Sequence, residues 1–168
     1  MRASITRLLA LGCIGLLSGA MLEEYFVLRY VLAHLDGAQW GRAHAAFGTF
    51  HPWTIIPLAV IGTVALFFVI AAREKPRAST RGRLNWAVAG IGALVGGLTV
   101  GVMFPLNLDI EGWARTGLPA DWQAVRDRWI GLQALRAVLS VSGFFLLVVA
   151  SFLPGRPLHP EHERGNPE

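Results

Sequence analysis

Between Trp122 and Leu147, Arg126, Gln133, Arg136 and Ser140 fall on one narrow stripe of a largely apolar segment. Trp122, Arg126, Trp129, Gln133, Arg136, Ser140, Gly143 and Leu147 follow one another at alternating spacings of four and three, which puts them on one side of a single helix. The remaining sides carry Leu, Val, Ile and Phe. A soluble helix has the reverse pattern, an apolar stripe on a polar cylinder. The inversion predicts a helix whose outer surface meets lipid and whose polar stripe faces other helices. Arg136, deep in that stripe, then needs a partner or a polar cavity.

Further apolar segments at 5–33, 52–72 and 84–105 join 129–153 in reaching the ~20 residues that cross a hydrocarbon core. The predicted fold is all-α: a four-transmembrane-helix up-down bundle over residues 1–153, with helices at about 4–35, 38–72, 80–105 and 121–152. Residues 154–168 read as a disordered polar tail. Residues 109–119 read as a loop with Trp113 at the interface, and Asp121 as the N-cap of the last helix. Arg2, Arg7 and Ser18-Gly19-Ala20 also fit a signal peptide; the segment is taken as a retained anchor.

The same spacing gives the other helices their inward faces. In the first helix it runs Gly12, Leu16, Gly19, Glu23, Phe26, Tyr30, with Glu24 turned away by about 100°. In the second it includes His44, Gly48, His51, Gly62 and Ala65, with Pro52 and Pro57 expected to kink the helix. In the third it runs from Asn85 through Gly92 and Gly96 to Met103 and Asn107, and the glycines suit close, central packing. Glu23 and Arg136 each fall about 15–17 Å inside the same boundary. His44, His51 and Asn107 approach from that side, with Tyr30, Trp129 and Gln133 on the same stripes. The opposite half of every stripe is small and apolar. The pattern predicts a polar pocket opening outward over a sealed inner half, which argues against a transport path.

Composition refines this picture. The chain is 54% hydrophobic with six Trp in 168 residues, which points away from an ordinary soluble domain. Its net charge of +4 comes from residues beside the apolar spans, so membrane topology explains it better than nucleic-acid binding. Five of the eleven residues from Arg73 to Arg83 are basic. That makes this loop and both termini cytoplasmic, in a multi-pass protein of the plasma or bacterial inner membrane. The lone Cys13 excludes an intrachain disulfide framework.

Two local motifs, Pro105-Leu106-Asn107 and Trp129-xxx-Gln133-xx-Arg136, resemble those of the anthrone oxygenase-like family of small four-helix membrane proteins. Where that family places Trp-Asn-His before the arginine, this chain has Leu132-Gln133-Ala134. The resemblance implies oxidation of a hydrophobic aromatic substrate by O2 as co-substrate, with no metal or other cofactor. Glu23, His44, His51 and Arg136 are then the candidate catalytic residues: a carboxylate or imidazole to take a proton, and a guanidinium to hold an oxyanion. Tyr30, Asn107, Trp129 and Gln133 are the candidate substrate-binding residues. Two other readings stand beside this one. The chain could be a non-catalytic subunit of a larger membrane complex or homo-oligomer, or a metal or haem protein using His44, His51 and Glu23.

Overall fold

Local chemistry sets the ends of the helices. In the computed structural model, residues 2–73 and 79–154 are described, and they contain five α-helices and no strand. Helix α1 (Arg2–Phe26) runs on through a π-turn at Val27–Val31 and a 3-10 turn at Leu32–His34. Helix α2 (Gly37–Arg73) begins with a reciprocal cap: Gln39 N donates to Asp36 Oδ1 at 2.8 Å, and Asp36 N donates to Gln39 Oε1 at 3.2 Å. Helix α3 (Thr80–Leu98) is capped by Ser79, whose hydroxyl oxygen accepts from Gly82 N at 3.0 Å. Helix α5 (Trp122–Phe152) starts after Asp121, which makes no side-chain cap; its carbonyl instead accepts from Ala124 N at 2.9 Å. The expected tail lies outside the described residues.

The expected loop at 109–119 is instead mostly helix. A π-turn at Thr99–Met103 joins α3 to α4 (Phe104–Thr116), which ends at Gly117. The wide turn immediately precedes Pro105, which lacks the N–H that a regular helix would use there, and the local change of register lets the helix continue. Gly117 stops it, because its φ of 87° and ψ of 163° are open essentially to glycine alone. Helix α2 is continuous through Pro52 and Pro57.

Successive long helices run in opposite directions. Ala10 of α1 meets Ala65 and Leu66 of α2, Val88 of α3 and Leu147 of α5 in one apolar cluster. Leu32, Trp40, Met103, Ile110 and Trp129 form a second cluster at the other end. Between them lies a buried polar layer of Ser18, Glu24, Gln133, Arg136 and Ser140. Helix α1 packs along both α2 and α5, α3 packs chiefly on α5, and α4 packs on α2. The Ser18 hydroxyl lies 2.8 Å from the Ile14 carbonyl and 2.9 Å from that of Ser140, tying α1 to α5.

Three stretches, Ile5–Phe26, Thr80–Thr116 and Trp122–Phe152, are long and apolar enough to cross a membrane. In α2 the apolar stretch among the described residues is shorter, Ile55–Phe67. Two close helix contacts use glycines on the expected inward faces of α2 and α5. A Cβ at Gly62 would lie 3.1 Å from Cys13 Cβ and 3.2 Å from Ile14 Cγ1, and one at Gly143 would lie 3.3 Å from Ile91 Cγ2. Gly92, Gly96 and Gly97 of α3, and Gly101 in the π-turn after it, face open space, so this helix is peripheral rather than central.

These contacts separate two glycine substitutions. Gly62→Ala should push α1 from α2 and cost about 1–3 kcal/mol, read as a lower thermal midpoint in detergent. Gly96→Ala meets no atom within 4 Å and should leave the midpoint unchanged or raised.

Candidate functional site

The inward stripe of α5 is the one its spacing predicts. Trp129, Gln133, Arg136, Ser140, Gly143 and Leu147 are all buried along it. At the level of Trp129 the site is aromatic. The His44 ring stands 5.0 Å from that of Trp129, edge-on, and 5.3 Å from that of Trp40. Trp129 Nε1 donates to Asn107 Oδ1 at 2.6 Å, and His44 hydrogen-bonds to the same asparagine. Helix α4, reached through the π-turn, is what delivers Asn107 to this level.

One to two turns further along α5 the layer becomes charged. Arg136 Nη1 donates to Gln133 Oε1, and Nη2 lies 3.2 Å from the Met21 thioether sulfur of α1. Glu24 of α1 is buried and interacts electrostatically with the guanidinium. Opposite charges in a low-dielectric layer attract far more strongly than in water.

Helix α1 therefore presents a different face from the one expected. Glu23 is exposed and Glu24 is the inward carboxylate. The true inward stripe is Ala10, Ser18, Met21 and Glu24, fixed by the Ser18 bond to α5 and by the charge of Arg136. The stripe through Gly12, Leu16, Gly19 and Glu23 lies nearly opposite, and at Gly12 and Gly19 an added Cβ would meet nothing within 4 Å. Tyr30 also leaves the site. It is 62% exposed and stacks on Phe26 at 5.9 Å, within the π-turn. His51 belongs to α2, but its side chain lies outside the described residues.

Sequence reasoning missed Trp40 and Met21. Trp40 is fully buried and lies one turn before His44 on the same face, so the spacing that found the histidine also contained it. Met21 carried no polar signal. Its sulfur matters only because Arg136 points at it. Among the described residues no group of three or more His, Cys, Asp or Glu is placed to share a metal ion.

The expected outward pocket is closed at this layer, where Gln133 is 1% and Arg136 8% exposed. A groove of about 410 Å3 lies nearby instead, between the start of α2 and the face of α4 that carries Ile110 and Trp113. None of the seven expected site residues whose side chains are described lines it. Four buried nitrogens in the closed layer have no hydrogen-bond partner: Trp40 Nε1, His44 Nδ1, Gln133 Nε2 and Arg136 Nε.

Described residues that are helical throughout, with three helices long and apolar enough to cross a bilayer, make this a membrane protein. The family model described as Anthrone oxygenase matches residues 47–146, more than half of the chain, and the chain belongs to that family. The matched region contains Asn107, Trp129, Gln133 and Arg136, while His44 and Glu24 precede it. No curated protein and no solved structure matches the chain.

His44 sits before the apolar stretch of α2, and burial lowers its pKa from 6.5 to about 4, opposed by the hydrogen bond to Asn107. Between those values the unfolded chain binds a proton that the folded chain does not. Stability from the neutral ring is therefore complete above pH 6.5 and declines as pH falls toward 4. Thermal midpoints measured across that range should fall more steeply for the wild type than for His44→Gln.

Proposed function

We propose that this protein is a multi-pass membrane oxygenase that oxidises an oxygen-bearing, hydrophobic aromatic carbon acid with O2. The observation that carries this reading is the set of four unpartnered buried nitrogens at Trp40, His44, Gln133 and Arg136. Each such group left unsatisfied costs about 1–3 kcal/mol, and a ligand presenting oxygens and an acidic C–H would satisfy them. Membership of the anthrone oxygenase family supports the same class of substrate. The route without a bound cofactor is what the family resemblance implies.

With the His44 ring donating to Asn107, its Nδ1 keeps a lone pair and acts as general base toward the activated C–H. Gln133 and Arg136 hold the enolate oxygen that forms. Arg136 lies two helical turns from the level of His44, about 10 Å along the axis. That separation suits a polycyclic ring whose acidic carbon and oxygen lie on opposite edges. The anion passes one electron to O2, and the radical pair joins through a new C–O bond to give a hydroperoxide, which takes up the proton. Loss of the second C–H proton with cleavage of the O–O bond releases water and leaves a ketone. One atom of O2 ends in the carbonyl and the other in water, so no external reductant is consumed. Glu24 holds Arg136 in place, and Glu23 has no part in the step.

Arg136→Lys keeps a positive charge opposite Glu24 but loses the planar donor fork, and should lower kcat for oxidation of anthrone by about 10²–10³-fold. His44→Ala should lower it by about 10²–10⁴-fold. Oxygen uptake by purified protein checks both, and unchanged rates in the two variants would remove the assigned roles.

In the membrane, α2 is the fourth span, and the basic stretch from Arg73 to Arg83 lies on the cytoplasmic side with both termini. In a Cys13→Ala background, a membrane-impermeant maleimide should label Leu118→Cys but not Ser79→Cys in intact cells. The reverse pattern would invert this orientation.

A further inference from the structure

The groove between α2 and α4 holds none of the residues assigned to the reaction, yet it adjoins them. One wall is the α2 face of Gly37, Gly41 and Ala45, which spacings of four place on one side of the helix. Trp113 and Leu118 stand on the facing wall, over Ile110. A Cβ on Gly41 would come within 3.9 Å of the Trp113 ring, so a longer side chain there would run along the indole into the open volume. The Trp113 ring in turn lies 5.9 Å from that of Trp40, and Trp40 contacts both His44 and Trp129. A continuous aromatic path thus links the groove to the closed layer. Its 410 Å3 falls in the range of about 300–1,000 Å3 usual for small-molecule sites.

The geometry points to this groove as the docking site for a flat polycyclic aromatic, with Gly41 and Ala45 setting specificity by the bulk they lack, while Leu118 and Trp122 close over Gly37 at its end. A glycine- and alanine-faced helix offers a smooth wall, and the Trp113 indole offers an offset-stacking partner. Arg42 and Glu111, both exposed, also line the groove, the Glu111 carboxylate reaching toward Gly48 of α2, and the other lining residues are apolar. This inference rests on the oxygenase reading for its substrate class, although the site itself is separate from the reacting layer.

The test uses the full chain in lipid nanodiscs, with anthraquinone as an unreactive probe read by quenching of tryptophan fluorescence. Gly41→Leu, and independently Ala114→Leu on the facing wall, should weaken probe binding and raise KM for anthrone by about 10-fold or more, with kcat within about 2-fold. Arg136→Lys should lose turnover while binding the probe normally. Unchanged probe affinity in both leucine variants, or no probe binding by the wild type, would overturn the docking site. So would quenching by brominated phospholipid that excess probe does not relieve, which would assign the groove to a lipid chain. Probe binding lost in the leucine variants of a protein that oxidises no anthrone would uphold the groove and remove the reaction.

Discussion

A guanidinium held between two apolar clusters is the constraint to which the rest of the bundle answers. Arg136 cannot lose its charge at any accessible pH, and an isolated cation in such surroundings is strongly disfavoured. Everything that touches it is arranged accordingly. Gln133 accepts from it along α5, Met21 offers a sulfur, and Glu24 supplies the opposite charge from α1. The rotation of α1 about its own axis follows from this requirement together with the Ser18 bond to α5. The face of α1 turned toward lipid is therefore set from the inside, by what Arg136 needs.

Above this charged layer the site is built from stacked rings and one amide. Asn107 accepts from Trp129 and bonds to His44, so a single side chain fixes an indole and an imidazole at once. Its position depends on α4 continuing the line of α3 past Pro105, which the π-turn makes feasible. A loop in that stretch would leave both rings without their common partner. The glycines of α3, by contrast, take no part in holding the site, because they face away from α5.

The legibility of this arrangement in the sequence followed the strength of each local signal. The stripe of α5 was readable because its polar residues are costly in lipid and keep one spacing over many turns. His44 and Asn107 were readable for the same reason. Helix α1 was misread because two glycines, Gly12 and Gly19, and a glutamate happened to share a face, and adjacent glutamates differ by only about 100°. Only the tertiary partners, Ser140 and Arg136, decide between them. Helix α4 was misread because proline and charged residues resemble a loop locally, while the register shift that rescues the helix leaves no mark on composition. The docking groove was invisible to pattern reading, since it is made by missing side chains on two helices that meet only in the folded chain.

The continuous rod Thr80–Thr116 has 37 residues and so measures about 55 Å, against a hydrocarbon core of about 30 Å. Its far end carries Asp109, Glu111 and Arg115, which favour water. Much of α4 consequently rises through the headgroups, and the groove beside Trp113 rises with it. A ligand can reach that height from the aqueous side without first dissolving in the bilayer, so solubility in lipid is not what selects it.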